Sequence, residues 1–398
     1  MEDDALNAMA SPLMVSEPGS FAEYTIVKRK PEIIRKIIAS RTFGAPVVDK
    51  LRALEAEIAE GTVAALHEDV PDVPYWQSAW RLWEGATWRQ LPWYFAESYF
   101  YRRVLEATSY FQQGSNYHVD PYAREKRIAL GYGMADLVSI VRHLPADLSP
   151  DERLTLWLHR SLWGNRSDLS NREVLEQTRR PGDIDTPRLL LIDHTAAVID
   201  LLKSGKVRRV VIVTDNCGLE LMSDLFLADE LLSQKLVQTV VLQAKAQPFF
   251  VSDAMLEDIG AVITAMQGSP EEPIRAVQER LDACARMGRV RLAMHPFWTT
   301  AGFYSDLPDD VNGFLSQADL VIFKGDVNYR RLLDDCHWPP TTDLGAITDY
   351  MPTSFLVLRT LKSETIVGLE EGVAEATAKQ DPKWLINGER GIVHLVVK

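Results

Sequence analysis

The chain has 398 residues, 46% hydrophobic and 25% charged, the make-up of an ordinary globular protein too long for one compact core, so two domains or one enlarged α/β domain are expected. A formal net charge of −13 argues against a nucleic-acid surface, because phosphate backbones select basic patches, but leaves room for a small anion bound locally. The three cysteines (Cys217, Cys284, Cys336) lack CxxC pairing, which indicates neither a disulfide framework nor a zinc ribbon and makes a reducing, cytoplasmic setting the default.

The first residues, Met-Glu-Asp-Asp, are acidic and have no apolar core, so no secretory signal is expected, and no apolar run reaches membrane-spanning length. Residues 1–30 read as a flexible acidic arm. A helical domain is expected over 31–183, where apolar residues recur at three- and four-residue spacing, as in Val47, Val48, Leu51, Leu54 and Ile58. Pro92, a favoured first-turn residue, opens a helix with an aromatic face through Trp93, Phe95, Tyr99 and Tyr101. The tryptophans between Trp76 and Trp93 read as helix-packing core. Past 184 the rhythm becomes strand, helix, strand: strands at 189–192, 207–214, 236–242, 290–294, 320–323, 355–358 and 392–397, with a helix from 194 to about 202 after the first. Helical patterns between most of them predict right-handed βαβ crossovers and a mainly parallel sheet over 184–398.

Two of those strands end in acid-bearing clusters: Val-Val-Ile-Val-Thr-Asp-Asn-Cys-Gly-Leu-Glu at 210–220 and Leu-Val-Ile-Phe-Lys-Gly-Asp-Val-Asn-Tyr-Arg at 320–330. The carboxyl edge of an α/β sheet is where ligands bind. Asp215 and Asn216 offer hard oxygen ligands, Lys324 an ammonium and Asp326 a further carboxylate, a set that suits a divalent metal beside a phosphate ester. Helix capping also accounts for Asp215, Asn216 and Glu220, and for Asp326 or Asn328 in the second cluster. Lys-Ala-Gln-Pro-Phe-Phe-Val-Ser-Asp at 245–253 follows the next strand and adds Asp253, enough with Asp215 and Asn216 for half an octahedral shell. Lys324 directly follows four apolar residues, and an uncompensated ammonium there is costly unless an anion meets it. Arg359 and Lys362 follow the strand at 355–358; they are either solvated or point into the same crevice. His295, just past a strand, is a substrate contact or a hydrogen-bonded loop residue. Cys217 has no nearby histidine to make it a nucleophile.

These four motifs, in this order, resemble the metal-dependent damage-control phosphatases, formerly a domain family of unknown function; Arg359-Thr-Leu-Lys362 is similar to the Arg-Thr-x-Lys element of the sugar-phosphate subfamily. The resemblance extends to Trp163-Gly-Asn165-Arg-Ser-Asp168 and to Glu97, Tyr101 and Arg102. It implies a Rossmann-like α/β domain preceded by an all-helical domain. It also implies metal ligation by Asp215, Asn216 and Asp253, and a phosphate site lined by Glu220, Lys324, Asp326 and Lys362. The implied activity is hydrolysis of small sugar phosphates, of the fructose-1-phosphate or fructose-6-phosphate kind, with Mn2+, Mg2+, Co2+ or Ni2+ as cofactor. Asp326 would orient a water or handle its proton, while direct attack by Asp215 or Asp326 stays open. Asn165, Asp168, Asn328, Arg359 and His295 are candidates to meet the substrate, Asn165 and Asp168 equally candidates for helix caps. The rival reading is a carboxyl methyltransferase using S-adenosylmethionine, against which stands the turn Asp-His-Thr-Ala at 193–196, without glycine; a non-enzymatic metal or phosphate binder is a further alternative. The sequence leaves the sugar, the metal and the oligomeric state open.

Overall fold

Apolar runs of four to six residues build one seven-stranded sheet in the computed structural model, which describes residues 10–164 and 189–398. The strands are β1 (Leu190–Asp193), β2 (Arg209–Val213), β3 (Thr239–Ala244), β4 (Val290–Met294), β5 (Leu320–Lys324), β6 (Phe355–Thr360) and β7 (Gly391–Val396). Their spatial order is β1-β7-β6-β5-β2-β3-β4. Strands β2 to β6 are mutually parallel, β7 pairs antiparallel with β6, and β1 runs with β7. The five parallel strands therefore follow the doubly wound order 3-2-1-4-5, which reverses between β2 and β5, the position where such sheets bind ligands.

This order corrects one inference from the sequence. Strand β1 is not the first strand of the parallel set; it touches only β7, so its turn at 193–196 lies at the edge opposite the carboxyl ends of β2 to β6. The missing glycine there says nothing about a nucleotide site. The relevant turn follows β2, and Thr214-Asp-Asn-Cys-Gly218 holds a single glycine.

Among the described residues, the α-helices of seven residues or more are α1 (Lys30–Ala39), α2 (Ala45–Glu60), α3 (Val73–Arg81), α4 (Trp93–Ala107), α5 (Ala123–Arg142), α6 (Pro150–Trp163), α7 (Thr195–Lys203), α8 (Leu219–Ser233), α9 (Leu256–Gln267), α10 (Glu272–Arg286), α11 (Asp309–Leu315), α12 (Gly325–Leu332) and α13 (Val373–Gln380). Strand alternation sorts the core. Val210 and Ile212 of β2 face a core shared with α8, α9 and α10, whereas Val211 and Val213 face another, built with Trp298, Tyr304, Tyr329 and Leu332. Leu137 and Val141 of α5, and Leu154, Trp157, Leu158 and Leu162 of α6, belong to the first of these cores. These two helices thus pack on the sheet, while α1 to α4 enclose a separate core that takes in Trp76, Trp88 and Trp93.

Residues 10–29 depart from the expected loose arm. Ser11–Pro12 pairs with Cys336–His337, and Leu13, Val15, Ala22 and Ile26 are fully buried in the core of α1 to α4. Apolar side chains every few residues overcome the charge near the start of the chain. Residues 1–9, which carry that charge, lie outside the described residues. No helix among the described residues is long and apolar enough to cross a membrane, and all three cysteines are free thiols.

Candidate functional site

Three parallel strands end level with one another: Val213 pairs with Gln243 of β3 on one side and with Phe323 of β5 on the other. The chain leaving β2 runs through Thr214, Asp215 and Asn216 into α8, whose first turn carries Glu220. The chain leaving β5 turns at once into α12 through Gly325, at φ +80°. A Cβ on Gly325 would lie 2.0 Å from Asp215 Oδ2, so this turn presses bare backbone against the carboxylate and tolerates only glycine. A similar approach occurs at Gly164, after α6, where a Cβ would come within 2.5 Å of Glu220 Cα. The third wall is the segment after β3. Ala254 N–H donates to the Asp215 carbonyl at 2.8 Å, Cys217 N–H to the Ser252 carbonyl at 2.7 Å, and Ser252 Oγ to Asn216 Oδ1 at 2.5 Å. Asn216 and Asp253 face each other across an isolated antiparallel bridge.

The result is a buried cluster of charge. Asn216 Nδ2 donates to Asp215 Oδ2 at 2.6 Å and to Glu220 Oε2 at 3.1 Å. Lys324, wholly buried, contacts Glu220 Oε1 at 2.9 Å and Asp224 Oδ1 at 3.1 Å, and donates to the Ser161 carbonyl of α6. Ser161 Oγ closes the ring by donating to Asp224 Oδ1 at 2.5 Å. Lys245 Nζ donates to the Thr214 carbonyl at 2.9 Å and stands 3.3 Å from Asp253 Oδ2, an oxygen that is buried without a hydrogen bond of its own.

Proton affinities follow from this crowding. Burial, then repulsion from Glu220 and Asp253, holds the Asp215 carboxyl well above its usual range. Burial pushes Asp253 up to about 6 against the opposing pull of Lys245, and does the same to Asp224 against Lys324. Burial would lower the Lys324 ammonium, but Asp224 and Glu220 outweigh it and hold it above its ordinary value. Among the described residues, four carboxylates (Asp215, Glu220, Asp224, Asp253) thus crowd around two ammoniums (Lys245, Lys324), so acids outnumber bases in this buried cluster. Buried carboxylates in excess either take protons or bind a cation. The donors fit a hard divalent ion held by Asp215, Asn216 and Asp253: a carboxamide and two carboxylates, one of which (Asp253) has an oxygen without a hydrogen bond. Among the described residues, no group of three or more histidine, cysteine, aspartate or glutamate side chains stands ready as a self-sufficient metal cage.

Asp326 occupies the adjacent position on α12. Its Oδ1 accepts from Arg359 Nε at 2.7 Å, Ser363 Oγ at 3.0 Å and the backbone N–H of Lys362 at 3.2 Å, so one oxygen is clamped while Oδ2 accepts none of these bonds. Arg359 is fully buried, donates also to the Thr365 carbonyl and Ser363 Oγ, and lies 4.2 Å above the Tyr329 ring. Half-buried Lys362 follows β6, two residues beyond the strand end.

Several sequence expectations change here. The anion that meets Lys324 is the protein's own pair of acids, which makes it a buried counter-ion. Arg359 is committed to Asp326 and not open to a ligand. Asn328 is buried, donating to the Lys324 carbonyl at 2.7 Å and accepting from Tyr304 at 2.5 Å. His295 accepts from Phe297 N–H at 3.1 Å and reaches Asp310 at 3.0 Å, using both ring nitrogens at the surface beyond the edge strand β4. Asn165 and Asp168 lie outside the described residues. Sequence reasoning missed Asp224, Lys245, Ser161, Ser252 and Ser363. Asp224 carried a signal, being one helical turn beyond Glu220 on the same face of α8. Ser161 carried none, since its carbonyl comes from a helix remote in sequence.

Comparison with known proteins accords with this layout. Residues 25–377 match the family model described as the damage-control phosphatase ARMT1-like domain. The chain is 31% identical to the mouse damage-control phosphatase ARMT1, over 96% of this chain and 97% of the mouse protein. It is 28% identical to the zebrafish protein of that name, over 94% of each chain, and 29% identical to the human one, over 94% of this chain and 96% of that one. Among solved structures, a DUF89 family protein from Pyrococcus horikoshii superposes with a TM-score of 0.51 at 14% identity, covering 93% of this chain and 97% of that one, a likeness of fold.

Proposed function

Because the chain belongs to the damage-control phosphatase ARMT1-like domain family, we propose that it is a metal-dependent phosphomonoesterase of metabolite damage control, acting on small sugar phosphates. The observation that carries this reading is the buried, acid-rich cluster where the strand order reverses, in which Asp253 Oδ2 has no hydrogen bond and Asp215, Asn216 and Asp253 lie together. Asp215, Asn216 and Asp253 would hold the ion. A divalent ion, when bound, polarises a phosphoryl oxygen and lowers the pKa of a bound water.

The chain's own groups divide the remaining work. Asp326, with Oδ1 fixed by Arg359, Ser363 and the Lys362 N–H, presents Oδ2 to orient the attacking water or receive its proton. Lys362 supplies positive charge to the equatorial phosphoryl oxygens. Lys324 acts one step back: it holds Glu220, and Glu220 accepts from Asn216, so the lysine fixes the orientation of a ligand. The sugar-phosphate class rests on Arg359-Thr-Leu-Lys362 and its likeness to the subfamily element.

Family membership favours this reading over the methyltransferase alternative, and the turn after β2 holds a single glycine, Gly218, where a cofactor-binding turn of this fold is glycine-rich. Incubation with a panel of phosphometabolites under one divalent metal tests both. Release of phosphate from ketose or aldose phosphates, abolished by chelator, is expected. Consumption of S-adenosylmethionine with no phosphate release would overturn the proposal.

A further inference from the structure

The segment that carries Asp253 does not hold its shape by itself. Phe250 and Val251 sit at φ 44° and 66°, left-handed backbone that is uncommon for any residue but glycine and a genuine outlier for a β-branched valine. Ser252 N–H folds back to the Phe250 carbonyl at 2.7 Å and Asp253 N–H to the Phe249 carbonyl at 3.2 Å, so the strained pair directly sets where Asp253 points.

Two anchors keep the segment in this form. On one side Ser252 is tied to Asn216 and Cys217. On the other, Phe249 and Phe250 leave the sheet and enter the core of α1 to α4. Tyr101 of α4 lies 4.8 Å from the Phe250 ring at 35° and 5.8 Å from Phe249. Lys30 Nζ stands over both rings of the pair, 4.6 Å from Tyr101 and 5.6 Å from Phe250. Lys30 in turn pairs with Glu97 at 2.7 Å, and Glu97, one turn before Tyr101 on α4, reaches Arg330 of α12 at 2.6 Å. The hub Lys30–Glu97–Tyr101 therefore touches both the segment with Asp253 and the helix α12, which carries Asp326 in its first turn.

We propose that Tyr101 and Phe250 are positioning residues, through which the helical layer α1 to α4 holds Asp253 in the metal-binding geometry. This rests on the metal reading given above. Mere burial of Phe250 would make its removal a matter of stability alone. The proposal requires instead that metal affinity depends on the ring, because loss of the stack lets the left-handed pair relax and carries Asp253 away from Asn216.

The test is Mn2+ binding to the full chain, followed by the free-ion electron paramagnetic resonance signal, with thermal unfolding in chelator as the control for folding. Phe250→Ala is expected to weaken Mn2+ binding by about tenfold or more, the scale of lost support behind a metal ligand, while Phe250→Tyr, which keeps the ring, stays within about twofold of wild type. Phe250→Gly separates ring from backbone: glycine adopts the left-handed conformation freely, so retained affinity there would show that the backbone and not the stack sets Asp253, and would overturn the proposal. Wild-type affinity in Phe250→Ala would overturn it too. If Phe250→Ala loses its cooperative unfolding transition, Tyr101→Leu, which removes the stack from the α4 side, carries the same expectation and the same refutation. Absence of Mn2+ binding in the wild type would instead overturn the metal reading itself.

Discussion

Replacing Lys324 by Met distinguishes a buried counter-ion from a phosphate-binding group. The ammonium is wholly buried, 2.9 Å from Glu220 and 3.1 Å from Asp224, and also donates to the Ser161 carbonyl. Methionine fills a similar volume but strands two carboxylates and a carbonyl. Breaking a buried pair by removing one partner costs about 3–5 kcal/mol, and protonation of a stranded acid caps the cost near that range. Urea unfolding followed by tryptophan fluorescence, in chelator at neutral pH, should show the midpoint falling accordingly. Adding Asp224→Asn removes one of the stranded charges, so the double variant should recover part of the loss, a coupling expected only of groups in direct contact. A Lys324→Met protein that unfolds at the wild-type urea concentration, yet has lost phosphate release, would refute the reasoning and return Lys324 to the substrate.

Three other perturbations follow from the same geometry. Gly325→Ala places a Cβ 2.0 Å from Asp215 Oδ2 in a backbone of φ +80°, so it should abolish activity and metal binding together; a fully active variant, measured by phosphate release, would mean the Asp215 turn is looser than described. Asp326→Asn should keep the ion, because Asp326 is clamped by Arg359 and Ser363 and not by the metal ligands, but should lower kcat by at least about 100-fold as a general base or orienting acid is lost; a drop in Mn2+ affinity would place Asp326 among the ligands. His394, buried against Gly368, is held down to about 4 by burial and by His194. A depressed histidine contributes stability that is present above its unfolded value near 6.5 and is lost as pH falls toward 4, so stability should drop by on the order of 1–3 kcal/mol across that window, and His394→Phe should flatten the profile.

The sheet was legible because buried parallel strands read as uninterrupted apolar runs, and all seven appear within a few residues of their expected bounds. The direction of β1 was not, since periodicity places a strand but does not orient it. The packing of residues 10–29 was hidden by the acidic residues ahead of them, although Leu13, Val15 and Ile26 were visible as apolar positions. At the site, the sequence pointed to the right strand ends but not to the partners. Lys324 looked short of an anion because Glu220 and Asp224 lie about a hundred positions earlier, on the helix after β2. Arg359 looked open to a ligand because its partner Asp326 belongs to the neighbouring strand's turn. Pairings of this kind depend on strand order, which emerges only once the sheet is assembled.

On this reading the buried, acid-rich cluster formed by Asp215, Asn216 and Asp253 takes one divalent ion that the reaction needs. Equilibrium dialysis of Mn2+ against the wild type and Asp253→Ala, with phosphate release from fructose-1-phosphate measured on the same samples, tests it directly. One ion per chain is expected in the wild type, little or none in Asp253→Ala, and phosphate release that disappears in chelator and returns with the ion. Full phosphate release by the chelator-treated wild type would contradict it.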